Sequence, residues 1–361
     1  MGVDLDDAAA LRRLDSLDIL TPVERLGEQC RAGWDIGRAT PRVPPGEDID
    51  AIAVLGMGGS AMAGDIAQAV VEPGLTRFLR VLKGYGPLPG WVGPRTLVVA
   101  VSYSGDTEET LDAAAAAVER GASLLSLSSG GRLAEAAGER GWPHVLVPGG
   151  LQPRASLGYL ALPLLAVLER MGLTRPMGDD VAEAEAVLAG IARACDRGAS
   201  LAANPAKQLA VAVGGKISLV YGGQGLAAVA ARRFKCDLNE YAKAPAFANE
   251  LPEMGHNEIE GFGELSDVLR SRAVVVELRD TEEDERLAER FEATRRILDG
   301  RVAGFRQVRA TGSSALARLM SLVMTTQLAA VYAGLAAGSD PGPVNVIRRL
   351  KEELATRRGA E

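Results

Sequence analysis

Two short segments of the chain combine glycines, hydroxyls and a helix start in the way an anion site requires. Gly56-Met57-Gly58-Gly59-Ser60 follows an apolar run at 51–55 and precedes a helical pattern. Its glycines let backbone approach an anion closely, and Ser60 adds a hydroxyl. Ser102-Tyr103-Ser104-Gly105-Asp106-Thr107-Glu108-Glu109-Thr110 closes a second apolar run at 96–101. Ser102, Ser104 and Thr107 there place three hydroxyls around a helix start. Together the two loops would wrap a phosphate with neutral donors and the helix dipole, without a lysine. Two other readings stand beside this one. Ser104 or Thr107 would serve equally as an N-cap with acidic residues in the first turn. Gly56-x-Gly58-x-x-Ala61 also fits a relaxed dinucleotide fingerprint. That fingerprint wants an acidic residue about 20 positions on, ending the second strand. The strand here ends Val81-Leu82-Lys83-Gly84, with no carboxylate.

The elements that must hold these loops follow from hydropathy. Apolar runs at 51–55, 79–82, 96–101, 123–127 and 144–147 alternate with helical patterns, including 111–120 and 131–140. Strands that are apolar on both sides indicate a parallel sheet covered by helices on both faces. Residues 1–47 read as helical, and 157–200 as two linking helices. The pattern then restarts with a strand at 216–221, Gly-Gly-Gln-Gly-Leu and a helix to about 243. A strand at 272–278, a helix at 282–299, a strand at 305–310, a long apolar helix at 313–334 and an amphipathic tail at 343–357 follow. The expected fold is α/β, with two related domains. The expected limits are 1–47 for the N-terminal helical segment, 48–170 for the first domain, 171–210 for linking helices, 211–335 for the second domain and 336–361 for the C-terminal helix.

Composition narrows the function. The 361 residues carry a net charge of −7 and only 4% aromatics, which argues against a nucleic-acid partner. Three scattered cysteines match no CxxC pair, and two histidines without HExxH leave little for a metal, so none is expected. The acidic N-terminus has no apolar core behind a basic start, and apolar stretches such as 157–168 are shorter than a membrane span. The expectation is a cytoplasmic protein with no membrane partner.

The two loops resemble those of a sugar isomerase (SIS) domain, which binds phosphosugars. More specifically, KCDLNEYAKAPAFANELPEMGHNEIEGF resembles the bifunctional phosphoglucose/phosphomannose isomerase family. Both loops, Pro153-Arg154, this block and a C-terminal LKxxL helix occur in the family's order, so the resemblance covers nearly the whole chain. It implies two SIS-type three-layer αβα domains with mainly parallel sheets, and a homodimer without cofactor. It also implies an isomerase joining fructose 6-phosphate to glucose 6-phosphate, mannose 6-phosphate or both through an enediolate. Ser60, Ser102, Ser104 and Thr107 would hold the phosphate. Glu240 would be the proton-transfer base, and His256, from the partner chain, would assist ring opening. Arg154, with the amides of Gly58 and Gly59, would stabilise the enediolate, and Lys351 would reach the ring oxygen. Each has an ordinary alternative: a solvated glutamate, a surface histidine in an ion pair, a surface arginine, a solvated lysine on a terminal helix. Glu250, Glu253 and Glu258 read as structural, and His144 as a packed or capping residue.

One departure stands out. The family pattern Asp-Pro-Thr-Pro-Val reads Asp340-Pro341-Gly342-Pro343-Val344 here, removing a hydroxyl associated with acceptance of the C2 epimer. Other classes fit less well. A non-catalytic phosphosugar sensor has no use for Glu240, His256 and Lys351 together. An aminosugar synthase would need an N-terminal nucleophilic cysteine, and Met1-Gly2 is not followed by one. An NAD(P) oxidoreductase lacks the carboxylate noted above.

Overall fold

The computed structural model describes residues 2–358 apart from Leu265; Met1 and 359–361, at the outer ends of the expected terminal segments, lie outside the described residues. An N-terminal run of helices, α1 (Ala8–Leu14), α2 (Leu20–Glu24) and α3 (Leu26–Ala39), leads into the first sheet. There β1 (Ala51–Leu55), α4 (Gly58–Val71), β2 (Phe78–Leu82), β3 (Thr96–Val101), α5 (Glu108–Glu119), β4 (Ser123–Ser128), α6 (Gly131–Arg140) and β5 (His144–Leu146) follow. Helices α7 (Leu157–Arg170), α8 (Gly178–Ala194) and α9 (Pro205–Val213) connect to the second sheet. It comprises β6 (Ile217–Gly223), α10 (Leu226–Glu240), β7 (Ala246–Leu251), α11 (Ser266–Arg272), β8 (Ala273–Arg279), α12 (Glu285–Leu298) and β9 (Gly304–Arg309). The chain ends in α13 (Ala315–Ala336) and α14 (Asn345–Arg358).

Both sheets are parallel, with strand orders β2-β1-β3-β4-β5 and β7-β6-β8-β9. The chain thus forms two parallel-sheet α/β domains. Burial explains the layering. Ile52, Val54, Leu97, Val99 and Leu125 on one face of the first sheet share an apolar core with α3, α4, α7 and α8. Val220, Val274, Val276 and Leu278 of the second sheet enter the same core through α10 and α13. The outer faces pack separately, Val98 and Ala100 against Ala114, Ala117 and Leu133, and Tyr221 and Val275 against Leu287, Phe291 and Leu298. Helix α13 is 22 residues long and apolar enough to cross a membrane, which exceeds the length expected of the apolar stretches. Yet 89% of its most apolar window is buried inside the protein, where it serves as a core helix.

Several elements depart from the sequence expectation. Strand β7 falls in a stretch that reads as polar, because Asn249 and Glu250 interrupt its apolar pattern at the sheet edge. Helix α11 has no counterpart in the expected pattern, and α9, at the end of the expected linking helices, runs past 210; it starts from an Asn204 cap, whose side chain accepts from the Lys207 amide, with Pro205 at the first position.

Candidate functional site

The order β2-β1-β3 means that the chain reverses direction between β1 and β3, so a crevice opens beyond the carboxyl ends of those two strands. Both hydroxyl-bearing loops leave the sheet there. Gly58 holds φ +52, a left-handed turn that suits glycine at the start of α4, whose first amides have no partner within the helix. Gly59 is packed tightly: a Cβ at this position would lie 3.1 Å from the carbonyl oxygen of Pro153 and 3.6 Å from the Arg154 Cα.

The second loop is organised by a buried hydroxyl. Ser102 Oγ accepts from the amides of Gly105 (3.1 Å) and Thr107 (3.4 Å) and lies 2.9 Å from Thr107 Oγ1. Thr107 occupies the N-cap position of α5, but its hydroxyl makes no capping bond and turns to Ser102 instead. The exposed Ser104 accepts from the Asp106 amide at 3.2 Å. Ser60 Oγ accepts from the Tyr103 amide at 3.2 Å, so the two loops are joined directly. The cap reading therefore accounts for where Thr107 sits but not for what its side chain does.

Arg154 lies on a single 3-10 turn, Pro153–Ala155, and is 5% exposed. Its guanidinium donates to the carbonyls of Pro341 (3.1 Å) and Gly342 and stands 5.0 Å from the centre of the Tyr241 ring. Nε is buried without a hydrogen bond and faces the Glu240 carboxylate at 3.8 Å. Glu240 is the last residue of α10, its side chain 30% exposed. It lines a cavity of about 600 Å³ with Lys243, Asp340 and the first residues of α14. A cation stands there that sequence reasoning misses. Lys243 donates to the carbonyls of Glu240, Pro341 and Pro343, and burial with the nearby Arg154 charge pulls its ammonium below the usual lysine range. The only hint in the sequence is its position three residues after Glu240.

The structure thus brings Gly58, Gly59, Ser60, Ser102, Ser104, Thr107, Arg154 and Glu240 into one continuous region. His256 and Lys351 are not part of it. His256 is exposed on a 3-10 turn, Glu253–His256, beyond β7. Its neighbour Glu258 is tied back to the sheet, accepting from Tyr221 Oη and Asn249 Nδ2 at 2.6 Å each. Lys351 is exposed on α14. Among the described residues, no hydrogen bond or ion pair links either to Arg154 or Glu240, and no group of three or more His, Cys, Asp or Glu side chains is disposed to hold a metal ion.

Comparison with known proteins decides the family. A bifunctional phosphoglucose/phosphomannose isomerase from Caldicellulosiruptor bescii is 35% identical over 333 residues, 92% of this chain and 98% of the relative. The chain belongs to the bifunctional phosphoglucose/phosphomannose isomerase family. A second phosphoglucose/phosphomannose isomerase, from Thermoplasma acidophilum, is 33% identical over 304 residues, 84% of this chain and 89% of the relative. The family described as bacterial phospho-glucose isomerase C-terminal SIS domain matches residues 202–354. The fold is similar to that of a hypothetical protein from Thermus thermophilus, with a TM-score of 0.72 at 18% identity, covering 98% of this chain and 94% of that one. Within the phosphoglucose/phosphomannose isomerase family, then, the chain is an isomerase in which the turn before α7 and the end of α10 bring Arg154 within 3.8 Å of Glu240.

Proposed function

We propose that this isomerase is metal-independent and interconverts fructose 6-phosphate with glucose 6-phosphate, mannose 6-phosphate or both through an enediolate. The approach of the unpartnered Arg154 Nε to the Glu240 carboxylate carries the reading. A base able to take a carbon-bound proton stands beside a fixed cation able to hold the oxyanion that results. In the open-chain aldose, Glu240 removes the proton from C2 and the electron pair moves onto the C1 oxygen. The oxyanion is stabilised by Arg154 and the amides of Gly58 and Gly59. Return of that proton to C1, with the hydroxyl proton passing from O2 to O1, gives the ketose. No electron leaves the substrate, so the step needs no redox partner. Ser60, Ser102, Ser104 and Thr107 hold the phosphate through neutral donors at a helix start, which suits a dianion.

His256 and Lys351 complete the site in a homodimer on this reading. Support comes from their exposed positions and from Val346 and Leu350 on α14, 84% and 60% exposed. Their expected tasks are ring opening for His256, from the partner chain, and contact with the ring oxygen for Lys351. The setting is cytoplasmic, and the domain limits are 48–170 and 211–335. The test is a coupled assay of chelator-treated protein on the three sugar phosphates. Turnover unaffected by chelator is expected; no turnover with binding retained would leave a phosphosugar-binding protein instead.

A further inference from the structure

Arg154 sits on a turn of only three residues, yet its backbone is held from two other elements. Its carbonyl oxygen accepts from Arg233 Nη2 at 2.6 Å and from Gln327 Nε2 at 2.8 Å. The same Gln327 nitrogen donates to Tyr241 Oη at 3.2 Å. Tyr241 follows Glu240 directly, is fully buried, and lays its ring under the Arg154 guanidinium. Arg233 is itself held by Asp237, one turn before Glu240, in a buried pair at 2.7 Å. Helix α10 therefore grips the Arg154 backbone in its third turn and presents the Glu240 carboxylate at its end.

We propose that Gln327 and Tyr241 are positioning residues that fix Arg154 against Glu240, and so set where the reacting oxygens are held. The inference rests on the isomerase reading and extends it to residues that touch no substrate. Gln327 is 2% exposed in the middle of α13, a mainly apolar core helix. Its amide nitrogen has two destinations at the site, and a buried amide is retained at a desolvation cost only where its bonds are met. Removing it leaves Arg154 O bonded to Arg233, so the fold keeps its support while the turn gains freedom. Displacement of a charged group by a fraction of an ångström lowers the rate more than the affinity, because the oxyanion exists only after proton abstraction.

The experiment compares Gln327→Met, Tyr241→Phe and the unaltered chain in the coupled assay, each checked for folding by near-UV circular dichroism. Gln327→Met, of nearly equal volume, is expected to lower kcat about tenfold with KM within about twofold, and Tyr241→Phe to lower kcat about threefold. Arg154→Ala supplies the decisive background: with no charged group left at 154 for the turn to place, Gln327→Met added to it is expected to change kcat by less than about twofold. A merely structural glutamine would lower stability and act by the same factor in both backgrounds. Wild-type kcat in a folded Gln327→Met, or the same loss in both backgrounds, overturns the proposal. If Gln327→Met does not fold, Tyr241→Phe, which removes one oxygen, decides by the same split, and an unchanged kcat overturns it. No turnover by the unaltered chain overturns the isomerase reading and this one with it; turnover with unchanged variants overturns this one alone.

Discussion

Leu17 fills the space beside Gly342. A Cβ on Gly342 would lie 2.8 Å from Leu17 Cγ and 2.9 Å from its Cβ, so the glycine is matched to the N-terminal segment. Leu17 is 50% exposed, so its atoms beyond Cβ can turn aside, while the contact with its Cβ needs a shift of the N-terminal segment. Gly342→Thr restores the hydroxyl of the family pattern on a residue whose carbonyl already accepts from the Arg154 guanidinium. The ratio of mannose 6-phosphate to glucose 6-phosphate turnover is expected to rise in Gly342→Thr, and further in Gly342→Thr with Leu17→Ala. An equal ratio in all three proteins would show that epimer choice is made elsewhere.

Replacing the base should separate rate from affinity. Glu240→Gln keeps the shape of the side chain at the end of α10 but cannot take a proton, and kcat should fall at least ~10²-fold with KM little changed. Near-normal turnover would assign the proton transfer to another group.

Ser102→Ala tests the phosphate loop. It removes the oxygen that holds the Gly105 and Thr107 amides and lies 2.9 Å from Thr107 Oγ1. KM for the sugar phosphate should rise about tenfold, with the larger part of the effect in KM. A KM equal to wild type would place the phosphate outside this crevice.

His144 links stability to pH. Its Nδ1 lies 2.8 Å from Ser126 Oγ, its Nε2 is buried without a partner, and burial pulls the imidazole below its usual 6.5. The unfolded chain takes up the proton first as pH falls, so stability is lost from about pH 6.5 downward until the folded imidazole also titrates. Urea midpoints at pH 7.5 and 5.5, on the order of one pH unit either side of that value, should therefore differ less in His144→Gln than in the unaltered chain. An equal difference would remove His144 as the cause.

Much of the fold is legible in the residues because parallel strands announce themselves. Val98, Val99 and Ala100 are buried from both sides, and no polar residue breaks the run. The two glycine- and hydroxyl-bearing loops are legible as loops for a similar reason, since each directly follows such a strand. What the sequence hides is partnership across distance. Gln327 inside α13 looks like a lapse in an apolar pattern until Arg154 O is seen 2.8 Å away. Lys243 gives little signal of its own because carbonyls from the end of α10 and from the loop before α14 define its place. Strand β7 escapes notice because its edge position tolerates Asn249 and Glu250, and their partners lie outside the local window.

The core that runs unbroken from the first sheet through α3, α4, α7, α10 and α13 to the second has a kinetic corollary. The two halves that meet at Arg154 and Glu240 share that packing, so capture of a substrate cannot be the swinging shut of one lobe upon another. On the proposed mechanism the hydroxyl-bearing loops and Glu240 then stand ready in advance, and what limits the cycle is small and local: a sugar ring opening, a side chain turning, a product leaving.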